Sequence, residues 1–393
     1  MTAKTLQNNS IRQTQCLYIA FELSHKEWKL AFGIGGKNAR IVSIGARNVE
    51  DLNAEIEKAK NKYKLTPDCP VFSCYEAGRD GFWIHRYLDS RGVKNLVVDS
   101  SSIEVNRRKR RAKTDKLDAR KLLSMLTRYH NGEDSVWSVV RVPSIADEDA
   151  RRTDRELSFL TKERTRHSNR ITSLLVTQGI VVSINKRFPK LLEEARLFDG
   201  TQLGANLKNE LIREYERMLH VDEQIKEIWK KRRQMVKAAR QEQEKREARA
   251  IRPGAMSNLD KAIALMMLCG IGERSSWKLS SEIFWRTFSN RREVGSSAGL
   301  TGTPYNSGGE VKEQGISKAG NKRIRTLMVE LAWFWMRYQP DSSITKWFTE
   351  RFAANGKRLR RIGIVAVARK LLIALWRYVE FGEVPEGARF KQA

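Results

Sequence analysis

Four carboxylates in the first third of the chain, and one serine in the last third, are the residues whose types and surroundings suit chemistry at a phosphodiester. Glu22 lies in a short apolar run, Leu17 to Leu23, and Glu76 ends another, Val71 to Tyr75. Asp115 and Asp118 stand three apart, so on a helix they share one face. Clustered carboxylates repel one another unless a cation neutralises them. Mg²⁺ takes oxygen ligands and often keeps waters or substrate phosphates in its shell. Two such ions can stabilise both the entering and the leaving oxygen of a displacement at phosphorus. Each acid also has an ordinary reading: a solvent-facing strand position for Glu22, a strand-end charge for Glu76, a helix cap for Asp115, and a partner of nearby cations for Asp118. Ser307 sits between Asn306 and Gly308-Gly309 in a run of small residues, Gly299 to Gly309, expected to be a loop. Glycines there would give a hydroxyl room to meet a phosphate, although a serine in such a run is usually a turn residue.

Positioning these groups requires particular elements. Leu17 to Leu23, Trp28 to Ile34 and Ile41 to Ile44 read as three strands of a meander, the last two separated by a glycine-containing turn. Val49 to Tyr63 has helical spacing, with Leu52, Ile56 and Ala59 on one stripe. Val71 to Tyr75 is a fourth strand, Gly81 to Leu88 a helix, Asn95 to Val98 a fifth strand, and a helix starts near Asp115. The order β-β-β-α-β-α-β, then helix, matches the ribonuclease H-like fold, a mixed sheet flanked by helices. In that fold the ends of the first and fourth strands lie close together, and a late helix can bring its acids to the same place.

From about residue 140 to 260 glycine and proline become scarce and charge rises. Leu157, Leu160, Ile171, Leu174 and Leu175 fit one helical stripe; Leu207, Leu211, Tyr215, Met218, Ile225 and Trp229 fit another, long enough to suggest a coiled-coil arm. Gly200 to Gly204 is the expected turn between two antiparallel helices, and Arg252-Pro253-Gly254 the end of the second. The last third reads as mainly helical, with Gly270-Ile271-Gly272 between two apolar helical stretches and amphipathic helices at Lys322 to Tyr338 and Arg360 to Tyr378. The expected organisation is therefore an N-terminal arm (1–15), a ribonuclease H-like α/β domain (16–140), a helical coiled-coil dimerisation region (141–255) and a mainly α C-terminal domain (256–393).

The 393 residues carry 74 Lys plus Arg against 46 Asp plus Glu, a net charge of +28. A field of that sign attracts polyanions, and nucleic acid leads because each phosphate neutralised releases a counterion. The charge is clustered in Arg107-Arg108-Lys109-Arg110-Arg111, in Lys230 to Arg233 and in Lys357 to Arg361. No run approaches the ~18 apolar residues of a membrane span, and the polar N-terminus lacks a secretory signal's apolar core. Four cysteines without paired spacing indicate neither a zinc site nor a disulfide framework. A cytoplasmic protein without a membrane partner is expected.

These pieces resemble one known family, the DEDD-type bacterial insertion-sequence transposases, which are bridge-RNA-guided DNA recombinases. The resemblance spans about residues 16–380. It rests on Glu22, on Tyr75-Glu76-Ala77-Gly78, and on Lys113-Thr114-Asp115-Lys116-Leu117-Asp118-Ala119, whose K-T-D-x-x-D-A string is the most specific piece. Toward the C-terminus it rests on Gly270-Ile271-Gly272, Gly299-Leu300, Ser307-Gly308-Gly309, and Gly315-Ile316-Ser317-Lys318-x-Gly320-Asn321 followed by Arg323 and Arg325, with Val365 to Leu375 similar to the family's closing helix. The resemblance implies a RuvC-like domain that binds Mg²⁺ through Glu22, Glu76, Asp115 and Asp118. It also implies a C-terminal transposase domain whose serine, Ser307 or else Ser317, attacks DNA and becomes covalently joined to it. Arg107, Arg108, Lys109, Arg110, Arg111, Lys113, Lys318, Arg323 and Arg325 would contact nucleic acid. Implied partners are donor and target DNA, a structured guide RNA, and further copies of the chain, as a homodimer assembling to a homotetramer that acts at the bacterial nucleoid.

One position departs from the family: its first acid is Asp, and here it is Glu22. The same carboxylate on a longer stem leaves open a catalytically impaired nucleic-acid-binding remnant; separately, the four acids alone would also suit a metal-dependent DNA junction nuclease, which needs no serine.

Overall fold

The computed structural model describes residues 15–36, 38–103, 115–245, 256–307, 310–352, 354 and 356–392. The chain divides into two compact units, residues 1–142 and 143–393.

In the first unit the apolar runs become a five-stranded sheet. β1 (Leu17–Leu23), β2 (Glu27–Gly33) and β3 (Arg40–Gly45) form the antiparallel meander, while β4 (Val71–Glu76) and β5 (Lys94–Val98) run parallel to β1, in the order β3-β2-β1-β4-β5. β1 is apolar almost throughout because both of its faces are covered. Leu17, Ile19 and Phe21 pack with Leu52 and Ile56 of α1 (Val49–Lys62) and with Ile84 and Leu88 of α2 (Trp83–Ser90). Tyr18 and Ala20 face the other way, with Cys74 of β4 and Ala119, Leu122 and Leu126 of α3 (Asp115–His130). Burying each large side chain of this kind contributes roughly 1.5–3 kcal/mol. The element order is the one read from the sequence.

The second unit opens with α4 (Ile145–Val176), a short α5 (Phe188–Glu194) and the 41-residue α6 (Ala205–Lys245). α4 and α6 run antiparallel, as the pairs Arg164–Asp222 at 2.6 Å and His167–Glu214 at 2.6 Å show. Ile171 and Leu175 meet Leu211, Tyr215 and Met218, with Phe188 and Leu192 of α5 closing the far end. The Gly200 to Gly204 turn is thus the last part of a longer connection, held by a bridge between Arg196 and Gln202. The Arg252-Pro253-Gly254 break lies outside the described residues.

The remaining elements enclose one apolar core: α7 (Asn258–Met267), α8 (Glu273–Glu282), α9 (Arg291–Ser297), strands β6 (Gly302–Ser307) and β7 (Glu310–Ile316), α10 (Lys322–Tyr338), α11 (Ser343–Phe352) and α12 (Lys357–Phe381). Trp335 of α10 and Leu371, Leu372 and Leu375 of α12 are fully buried at its centre. Two sequence expectations change here. Part of the run Gly299 to Gly309 is strand where a loop is expected: Gly302–Ser307 pairs antiparallel with Glu310–Ile316 in a two-stranded hairpin. Between the two amphipathic helices stands α11, which the sequence reading does not contain. No helix among the described residues is long and apolar enough to cross a membrane.

Candidate active site

Glu22 and Glu76 are brought together by register. Phe21 pairs with Tyr75 across the parallel strands, so the next residues, Glu22 and Glu76, are neighbours at the carboxyl ends of β1 and β4. Alternation places both on the face of Tyr18, Ala20 and Cys74, the face that α3 covers. α3 crosses that face antiparallel to the two strands: the His130 ring lies 4.0 Å from Phe72, and Cys74 Sγ lies 3.8 Å from the Leu122 carbonyl. One turn further toward its N-terminus stands half-exposed Asp118, on the side of the strand ends that carry the glutamates. Asp115 is the first residue of α3; its side chain lies outside those described.

Glu22 and Glu76 line one cleft of about 460 Å³ with Ser24, His25, Gly78 and Asp80. Behind it the segment after β4 is fixed by the buried Tyr75, which donates its hydroxyl to the Gly81 carbonyl at 2.8 Å, and by the Ala77 amide, which donates to the Val98 carbonyl at 2.8 Å. Asp80 is nearly buried, 3.6 Å from Arg47 and 3.9 Å from Arg79. The sequence reading missed Asp80 and His25; the signal for Asp80 was its place four residues beyond Glu76 in a glycine-flanked turn. Among the described residues no three of His, Cys, Asp and Glu gather closely enough to hold a metal ion. Two adjacent carboxylates in an open cleft do offer the hard oxygen donors Mg²⁺ prefers, with room for water and phosphate in its remaining positions.

The serines belong to the second unit, and the hairpin separates them. Ser307 is the last residue of β6, paired with Glu310, whereas the hairpin base is Gly302 paired with Ile316, just before Ser317. Five residues of strand place them about 16 Å apart. Gly308 and Gly309 lie outside the described residues.

The residues that follow lock the hairpin base. Ser317 N–H donates to Thr301 at 2.8 Å, and Lys318, in a left-handed backbone conformation, donates to Gly299 at 3.2 Å. Gly299 (φ 66°) and Gly320 (φ 98°) let the two segments touch backbone to backbone: a Cβ on Gly320 would fall 2.4 Å from the Ser297 carbonyl oxygen, and one on Gly299 2.0 Å from that of Ala319. Asn321 caps α10, accepting from the Arg323 and Ile324 amides at 3.0 and 3.3 Å, and its side-chain amide reaches Glu282 at 3.3 Å. Arg325 Nη1 donates to the Ala298 and Lys318 carbonyls at 3.2 and 2.8 Å. The motif Gly315 to Arg325 is therefore a clamp on the hairpin.

Of the cations expected at nucleic acid, Arg107, Arg108, Lys109, Arg110, Arg111 and Lys113 lie outside the described residues. Lys318 is exposed beside the clamp, Arg323 stands 3.7 Å from Glu282, and the Arg325 guanidinium holds backbone carbonyls. Glu282, 1% exposed, also takes two hydrogen bonds from Arg155 of α4 at 2.9 and 3.2 Å. Burial pushes its carboxyl upward, and Arg155, Asn321 and Arg323 more than reverse that, leaving it below the ordinary value. Buried Asp154 goes the other way, raised by desolvation that Arg232, 3.8 Å distant, only partly offsets.

A family model described as the transposase IS116/IS110/IS902 family matches residues 262–346, the segment from α7 to α11 that contains the hairpin and its clamp. A protein of Sinorhizobium fredii provisionally named transposase y4rJ is 39% identical over 385 residues, 95% of this chain and 94% of its own length. The transposase for insertion sequence element IS1533 of Leptospira borgpetersenii is 24% identical over 61% of this chain and 69% of its own. That for IS1328 of Yersinia enterocolitica is 26% identical over 57% and 61%.

Proposed function

The chain belongs to the IS116/IS110/IS902 family of transposases, and from that premise we propose that it recombines donor and target DNA with carboxylates of the first unit and a serine of the second. The observation that carries the reading is the placement of Glu22 beside Glu76 at adjacent strand ends, one residue beyond the Phe21–Tyr75 pair, on the face α3 crosses with Asp118 and Asp115 at its leading end. The sheet order and this placement support a ribonuclease H-like, RuvC-like domain. Glu22 and Glu76, with Asp118 and Asp115, are the residues that would hold Mg²⁺, which when bound supplies charge neutralisation at a phosphodiester. The positive end of the α3 dipole favours carboxylates and phosphate at the same end.

The nucleophile is Ser307. Its Oγ displaces one bridging oxygen of the scissile phosphodiester, a phosphoserine bond forms, the P–O bond to the departing strand breaks, and the serine proton ends on the freed hydroxyl by way of solvent. A hydroxyl from the second duplex reverses the step on the new partner. Ser307 ends β6 at the far end of the hairpin, whereas the Ser317 amide is bonded at its base, which supports the first serine over the second. The paired helices α4 and α6 are the arm through which copies dimerise as a coiled coil, and two dimers hold two duplexes with acids and serine drawn from different protomers. Sequence choice is left to base pairing with a structured RNA, and the reaction belongs at the nucleoid.

A strand-transfer assay with labelled duplexes, the flanking-element RNA and Mg²⁺ tests this. Wild type is expected to join donor to target; Glu76→Gln and Ser307→Ala are each expected to lower the rate at least about 100-fold, the scale of losing a group that acts at the transition state. Joining by Ser307→Ala at the wild-type rate would overturn the serine role, and Mg²⁺-independent joining would overturn the carboxylate role.

A further inference from the structure

The second half of α6 carries a row of cations that the chemistry above does not use. Lys226, Lys230, Arg233 and Lys237 are spaced four, three and four apart, which on a helix is one face, and all are exposed. With Trp229 and Gln234 they line a shallow groove of about 360 Å³ that contains no acid. Among the described residues Lys226, Lys230 and Lys237 have no acid within 4 Å; Arg233 is 3.7 Å from Glu273, and Glu227 is held by Lys231 at 2.8 Å. Beneath the row Arg232 is buried, its guanidinium 5.3 Å from the Trp229 ring and 4.9 Å from that of Trp277. The face is thus positive and not self-neutralised. Like charges at such spacing destabilise an isolated helix, a cost offset where a polyanion covers them.

The row spans about 16 Å at 1.5 Å per residue. B-form DNA places one phosphate charge per ~1.7 Å of axis and stays straight over far greater lengths. A straight, evenly spaced row fits that stiff line of charge. We propose that this face of α6 is an anchoring surface for duplex DNA, whose cations neutralise phosphates without reading sequence. The inference rests on the chain acting on DNA, and not on the metal or the serine chemistry.

The test is anisotropy titration of the full-length protein with a labelled duplex of arbitrary sequence, about 30 base pairs long, from about 50 to about 300 mM salt. The variant K226Q/K230Q/R233Q/K237Q keeps good helix formers. Its slope of log affinity against log salt is expected to be shallower by about 3 to 4, at ~0.9 per phosphate contact. The matched control K58Q/K62Q/K64Q/K346Q removes four cations elsewhere and is expected to keep a nearly wild-type slope. Equal losses in both variants would overturn the proposal by reducing it to net charge. A loss confined to the flanking-element RNA, with duplex binding intact, would overturn it in favour of RNA. Should circular dichroism show lost helix, K230Q/K237Q alone must lower the slope by about 2. Ser307→Ala must bind with the wild-type slope, which keeps failure of the anchor distinct from failure of the chemistry.

Discussion

Two glycines and one glutamate decide how the hairpin is held. Gly299 and Gly320 occupy positive φ and press against carbonyl oxygens, so an added methyl meets both backbone strain and overlap. Gly299→Ala and Gly320→Ala are each expected to cost about 2 kcal/mol or more in denaturant unfolding. Gly204→Ala, with open space around its Cβ, is expected to change stability by less than about 0.5 kcal/mol. Glu282 ties α4, α8 and the α10 cap through Arg155, Asn321 and Arg323. Its folded carboxyl lies below the ordinary 4.5, so the stabilisation is complete above that pH and is lost as pH falls through the folded-state value. Acid titration of unfolding is expected to show Glu282→Gln less stable than wild type near neutrality, with the gap closing as pH drops below about 4.5.

At the scale of elements, α4 and α6 hold each other through a thin seam. Leu211 is fully buried beside Ile171 and Leu175, so Leu211→Ala is expected to cost about 2–5 kcal/mol, read as a lower thermal midpoint. Local patterning made most elements legible. Unbroken apolar runs gave β1 and β4, three- and four-residue periodicity gave α1, α6 and α10, and Gly33, Gly35 and Gly36 separated β2 from β3. The β6–β7 hairpin was hidden because its strands are short and polar and lack the alternation of apolar residues that marks a strand. α11 was hidden because ten residues give too few periods. The adjacency of Glu22 and Glu76 was legible once the strand order was, because parallel register follows from it. The Glu282 tie was not: nothing in the string Ser280-Ser281-Glu282 marks that carboxylate as buried, since its partners lie 39 and 127 residues away.

For the whole molecule, a net charge of +28 sets the terms of association. Duplex binding by the wild-type chain is expected to weaken by at least about tenfold between about 50 and about 200 mM salt, because phosphate contacts release counterions. An affinity insensitive to salt over that range would mean that the positive field takes no part in binding. The same charge requires that specificity come from elsewhere, since phosphate contacts position a duplex without reading it. Base pairing to a guide RNA meets that requirement in the proposed reaction.

In the proposed reaction Ser307, at the far end of the hairpin, becomes joined to DNA. This is tested most directly by trapping the reaction, digesting with trypsin and locating the nucleotide by mass spectrometry. Cleavage after Lys312 puts Ser307 and Ser317 in different peptides. A nucleotide phosphate is expected on Ser307 in the peptide that ends at Lys312, and none in Ser307→Ala. A nucleotide on Ser317, or DNA joining with no adduct on either serine, would contradict the Ser307 role.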